Sequence, residues 1–138
     1  INQEGHASIV STTGNPDGHL VLRGGTRGTN YHHEAVQEVT AQLTKAGVSN
    51  RLMVDCSHGN SNKDYRRQGD VLRSVASQLS QGSKSVMGVM LESHLVEGNQ
   101  KLSDDLSQLV YGQSITDACI DIEMTGTLLE ELASSIFS

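Results

Sequence analysis

Basic charge, cysteine and long apolar runs are all scarce in this sequence, and each shortage removes a class of protein. Ten Lys and Arg stand against 16 Asp and Glu, giving a net charge of −6 and a pI near 5.4. Nucleic-acid binding by counterion release needs a basic face, so small molecules or proteins are the expected partners. The two cysteines, Cys56 and Cys119, are too few for a disulfide scaffold and form no C-x-x-C pair. A reducing, cytoplasmic setting is therefore expected. No stretch approaches the roughly 20 apolar residues of a membrane span, and the opening Ile1-Asn-Gln-Glu4 lacks the charged and apolar regions of a signal peptide, so no membrane partner is expected. Internal repeats, low-complexity tracts and interdomain linkers are also missing. The 138 residues suffice for one domain with a real core and are too few for two of ordinary size. Ile rather than Met at position 1 leads to the expectation of a further segment upstream.

What is present centres on Leu52-Met-Val-Asp-Cys-Ser-His58 and the polar run Gly59-Asn-Ser-Asn-Lys63. An apolar run that opens into Asp, Ser, His, Gly and Asn is the pattern of a buried strand with a site at its C-terminal end. His58 is a candidate metal ligand on that pattern. His19-Leu-Val-Leu-Arg-Gly-Gly25 has the same shape and ends in a cation, whereas Val86-Met-Gly-Val-Met-Leu-Glu92 ends in an anion followed by Ser93-His94. Buried strands delivering Arg, His and Glu at their C-terminal ends are what a parallel α/β enzyme uses to build its catalytic face.

Around these runs, Ala35, Val36, Val39, Leu43 and Ala46 at helical spacing, closed by Gly47, predict one covering helix. Val71, Leu72, Val75, Ala76 and Leu79 predict a second, ending near Gly82. Leu128 to Phe137 predicts a last one. The β-branched stretch His6 to Thr12 and the Gly14-Asn-Pro-Asp-Gly18 turn predict a β-hairpin arm over residues 1–18. Residues 93–113 read as a long polar connection, of a length that is more often functional than idle. The order βαβαβ, loop, α demands right-handed parallel crossovers. Three such strands leave two open edges and an uncovered inner face, which require either further strands or assembly of several copies.

Four motifs then carry a resemblance. Leu22-Arg-Gly-Gly25, Asp55-Cys-Ser-His-Gly-Asn-Ser-Asn-Lys63, Gly88-Val-Met-Leu-Glu-Ser-His-Leu-Val-Glu-Gly-Asn-Gln100 and Ser114-Ile-Thr-Asp-Ala-Cys-Ile120 closely resemble the C-terminal portion of the type I 3-deoxy-D-arabino-heptulosonate 7-phosphate (DAHP) synthase family. The likeness runs over essentially the whole chain. It implies an α/β chain supplying about the last three units, strands six to eight with their helices, of a (β/α)8 TIM barrel, as a single partial domain over 1–138 with the N-terminal half absent. It implies a transferase that condenses phosphoenolpyruvate with erythrose 4-phosphate, releases phosphate and opens the shikimate pathway to the aromatic amino acids. One divalent ion (Mn, Fe, Co or Zn), a homo-oligomeric state and feedback inhibition by an aromatic amino acid are implied too, the last through the region near Ile9 to Thr13.

By the same likeness His58, Glu92 and Asp117 ligate the metal and Arg23 binds phosphoenolpyruvate, with Asn60, Lys63 and His94 as supporting residues. The family's fourth ligand is a cysteine upstream of this chain, and neither Cys56 nor Cys119 matches it. Thr26-Arg-Gly-Thr-Asn-Tyr31 departs from the run that bacterial relatives often carry after the double glycine. Blander readings stand beside these. His58 alone suits a hydrogen-bonded structural imidazole, Glu92 a solvated rim charge, and Asp117 a turn cap for which Thr116 competes. Arg23 suits an ion pair with Asp55 or Glu92. Arg66-Arg67 and the adjacent His32-His33 read as solvated surface. The 138 residues alone are expected to be inactive. The alternatives are a related enzyme making a 3-deoxy-octulosonate 8-phosphate, or a folded fragment that catalyses nothing.

Overall fold

The computed structural model describes Ile1 and residues 3–137. Three strands, β1 (Leu20–Leu22), β2 (Leu52–Asp55) and β3 (Val86–Met90), form a parallel sheet in chain order. The crossovers are helices α1 (His33–Lys45) and α2 (Gln68–Ser80). Alternation of side chains across the sheet decides which face is covered. Leu20, Leu52 and Val86 pair in one row, Leu22, Val54 and Val89 in another, and both rows point to one side. There Leu22, Leu52, Val54 and Cys56 join Val36 of α1 and Val71, Leu72 and Val75 of α2 in a core sealed by Ile120 and Leu128. The opposite row runs through Val21, Met53 and Gly88, none of which is buried, so this face of the sheet is open as expected.

Helix ends follow the punctuation in the sequence. Gly47, at φ +69°, closes α1 while Val48 N–H donates to the Leu43 carbonyl. Gly82, at φ +92°, does the same after α2, with Ser83 N–H donating to Gln78. A single 3₁₀ turn, Tyr65–Arg67, precedes α2 and is capped by Asp64, whose carboxylate accepts from Arg66 N–H.

Three features depart from expectation. No strand occurs among the described residues of 1–18, so the hairpin arm does not form. Ile9 and Val10 are 101% and 71% exposed there, and β-branched residues with nothing to pack against do not make a ribbon. The polar connection contains two short parallel strands, β4 (Val96–Asn99) and β5 (Gln113–Ser114). Finally, α3 (Ile122–Phe137) begins well before Leu128, because Asp121 caps it by accepting from Met124 N–H at 2.7 Å. No helix among the described residues is long and apolar enough to cross a membrane.

Candidate metal centre

The C-terminal ends of β1, β2 and β3 open on one side into a cavity of about 540 Å³. Arg23 and Gly24, following β1, Ser57 to Gly59 and Lys63, following β2, and Glu92, following β3, all line it. Two of these segments meet backbone to backbone: Gly59 N–H donates to the Arg23 carbonyl at 3.0 Å. Asn60, 1% exposed, ties the same ends from below by donating to the carbonyls of Leu22 and Asp55 while its oxygen accepts from Asn30 N–H.

Asp117 arrives from further along the chain, and β4 and β5 are how it gets there. Ile120 N–H donates to the Glu92 carbonyl and His94 N–H to the Ile120 carbonyl, fastening the 117–120 segment beside the end of β3. Gly98 and Cys119 exchange both backbone hydrogen bonds, and Asn99 donates to the Thr116 carbonyl. Gln100 closes the excursion with its side-chain amide, donating to Val110 and Gln113 carbonyls and accepting from Val110 N–H. The long connection therefore brings Asp117 to the same rim as His58 and Glu92.

His58, Glu92 and Asp117 offer one donor atom each within 4.8 Å of one another. His58 Nε2 lies 3.6 Å from Glu92 Oε1 and 3.9 Å from Asp117 Oδ2. Two bonds of roughly 2.1 Å to a shared ion span up to about 4.2 Å, so each of these two separations is compatible with one shared ion. The second atoms of His58 and Glu92 are already engaged. His58 Nδ1 is 2.7 Å from Asp55 Oδ2, and Ser57 Oγ donates to Glu92 Oε2 at 2.6 Å, which leaves Nε2 and Oε1 facing inward. Gln68, fully buried at the start of α2, grips the Glu92 backbone on both sides, accepting from its N–H at 2.7 Å and donating to its carbonyl at 3.1 Å. An imidazole with two carboxylates suits a hard or borderline divalent ion and leaves positions open for substrate.

Arg23 extends into the cavity with its side chain 58% exposed and its Nε 3.8 Å from Asp55 Oδ2. That ion pair is long, so the guanidinium keeps most of its fork for an anion. Lys63 adds a second cation to the lining. His58, Asn62 and Lys63 have left-handed backbones, at φ +46°, +54° and +62°, which non-glycine residues seldom adopt. The other supporting residues expected from the sequence lie elsewhere. Asn60 holds the scaffold below the site, and His94 is exposed, outside the lining, with its Nδ1 accepting from Leu95 N–H. The residues that do brace His58 and Glu92 are Asp55, Ser57 and Gln68. Asp55 had a legible signal in its i, i+3 spacing to His58; the Gln68 contact spans 24 residues and had none.

The cap of α3 is Asp121 and not Asp117. Arg66, Arg67, His32 and His33 are exposed. Cys56 is fully buried in the core, where burial and the nearby Asp55 charge push its thiol up to about 12. Cys119 is half-buried, and its thiol is raised chiefly by burial, with the carboxylates of Glu92 and Asp117 adding to the shift against a hydrogen bond involving Ser114. Neither sulfur belongs to the ligand cluster.

Residues 1–130 match the model of the DAHP synthetase I family. The Tyr-sensitive phospho-2-dehydro-3-deoxyheptonate aldolase of Enterobacter agglomerans is 51% identical over 96% of this chain and 62% of its own length. The Phe-sensitive enzyme of the same name from Escherichia coli K12 is 48% identical over 99% of this chain and 38% of its own. The solved phospho-2-dehydro-3-deoxyheptonate aldolase of Francisella tularensis SCHU S4 superposes with a TM-score of 0.86 at 45% identity, over 94% of this chain and 37% of that one. The chain thus spans less than two thirds of each relative, and within that span it belongs to the DAHP synthetase I family.

Proposed function

We propose that this chain is the C-terminal section of a TIM-barrel enzyme that condenses phosphoenolpyruvate with erythrose 4-phosphate to DAHP and phosphate, the first step towards the aromatic amino acids. The single observation that carries the reading is the convergence of His58, Glu92 and Asp117 beside Arg23 at the C-terminal edge of a parallel sheet. Oxygens of aldehyde and carboxylate type are what such a site handles. A divalent ion bound there supplies Lewis-acid polarisation of the aldehyde oxygen. The chain's own residues do the rest of the work assigned to this section. His58, Glu92 and Asp117 hold the ion with positions left open. Arg23 pairs with the carboxylate or phosphate of phosphoenolpyruvate and fixes its attack face, and Lys63 offsets further negative charge at the cavity wall.

The remaining substrate cations lie, on this reading, outside the 138 residues, so the chain alone does not turn over. The half-exposed inner face around Val21 supports completion by more polypeptide and assembly as a homo-oligomer. The relatives are named for sensitivity to Tyr or to Phe, which supports feedback by an aromatic amino acid here as well. The test is phosphate release by metal-loaded protein that contains the upstream segment, with phosphoenolpyruvate and each of two aldoses, erythrose 4-phosphate and arabinose 5-phosphate. Turnover with the first supports the proposal. Preference for arabinose 5-phosphate assigns the octulosonate-type reaction instead, and activity with neither, in metal-loaded protein that contains the upstream segment, rejects it.

A further inference from the structure

Asp55 touches no cavity wall, yet it is the most constrained charged group near the site. It ends β2, is 2% exposed, and spends both oxygens locally. Oδ1 accepts from Ser57 N–H at 2.8 Å, and Oδ2 lies 2.7 Å from His58 Nδ1. The His58 backbone is fixed independently: its left-handed φ of +46° is held while its carbonyl accepts from Lys63 N–H at 2.8 Å and from Ser61 Oγ at 3.2 Å. With the backbone pinned, the only freedom left to the imidazole is its ring orientation and which nitrogen carries the proton. A carboxylate oxygen can only accept, so an Oδ2 at 2.7 Å requires the proton on Nδ1. The Nε2 lone pair then points between Glu92 and Asp117.

We propose that Asp55 is a positioning residue that holds His58 in the tautomer able to ligate a divalent ion through Nε2; the inference rests on the metal-site reading above. The geometry gives an unusual signature for the isosteric variant. In Asp55→Asn, Ser57 N–H still demands an acceptor and keeps the amide oxygen in the Oδ1 position, so the amide NH₂ faces His58 Nδ1. That group only donates, so Nδ1 must present its lone pair and the proton moves to Nε2, where the ion belongs. Asp55→Ala removes the carboxylate without imposing a tautomer and leaves His58 free to ligate.

The experiment has two readouts on purified protein. In the metal-free wild type, ¹⁵N correlation spectra at a pH where imidazole is neutral should show the His58 proton on Nδ1. Mn²⁺ and Co²⁺ titrations should then show Asp55→Asn binding about 10–100-fold more weakly than wild type, with Asp55→Ala affected less. A merely structural carboxylate gives the reverse order, because the isosteric variant is then the milder one, and that order overturns the proposal. A wild-type His58 proton found on Nε2 also overturns it, without any variant having to fold. Failure of the wild type to bind either ion instead rejects the metal-site reading, and the tautomer measurement still decides the role of Asp55.

Discussion

Gly24 and Gly59 are where the ends of β1 and β2 press together, and the contact leaves no room for a side chain. Gly24 has φ +77°, and a Cβ placed on it would sit 2.5 Å from the Gly59 carbonyl carbon and 2.8 Å from the Asn60 nitrogen, all rigid backbone. Gly24→Ala therefore both strains its own backbone, by about 1–3 kcal/mol, and pushes the 58–63 loop away from Arg23. The expected outcome is a lower melting temperature together with weakened Mn²⁺ binding; a variant with wild-type values of both would show that the two loops need not touch. Glycine after a strand is common, so the double glycine in the sequence announced a turn but not this contact. The same limit applies to the braces. Asp, Ser and His within one short run were legible as a site, whereas which oxygen each would engage depended on a fold that brings Glu92 within 2.6 Å of Ser57.

The elements were legible where hydrophobic periodicity ran long enough to be counted. The three sheet strands stand where continuous apolar runs placed them, α1 and α2 where 3.6-residue spacing did, and Gly47 and Gly82 end the helices as expected. Strands β4 and β5, of four and two residues, carry no such period, because their pairing is completed by amides of Gln100 and Gln113 acting as backbone surrogates. Propensity failed over residues 1–18 for the opposite reason: β-branched residues were present without a surface to cover.

Helix α3 is held to α2 in two ways that can be tested separately. Leu128 is fully buried against Gly69, whose added Cβ would stand 3.3 Å from the Leu128 Cδ2 atom. Leu128→Ala should cost about 2–5 kcal/mol in denaturant unfolding, and a loss well under 1 kcal/mol would show that α3 is not packed as described. On the surface, Arg73 grips Glu131 with two hydrogen bonds of 2.8 and 3.1 Å. The pair holds the Glu131 carboxyl below the usual carboxylate range. Because the folded value is the lower one, the pair's contribution is present above the ordinary range and fades as pH falls through the folded value. Glu131→Gln should thus melt slightly below wild type at neutral pH and level with it in acid; a gap that stays constant across that range would contradict the assignment.

At the scale of the whole molecule, one arrangement gives the fold its purpose. The parallel sheet turns three separate strand ends into one rim, the excursion through β4 and β5 returns Asp117 to that rim, and one face of the sheet stays open. Most of this was readable from the strand-end pattern and the four family motifs. The residues holding Glu92 in register were not, since that information resides in contacts across the sheet from Ser57 and down onto Gln68 of α2.

The central claim is that His58, Glu92 and Asp117 share one divalent ion. Calorimetric titration of chelator-stripped protein with Mn²⁺, repeated on His58→Ala with its circular dichroism checked against wild type, tests it most directly. The account predicts one ion per chain in the wild type and loss of that binding in the folded variant. Undiminished binding of one ion by folded His58→Ala would contradict it.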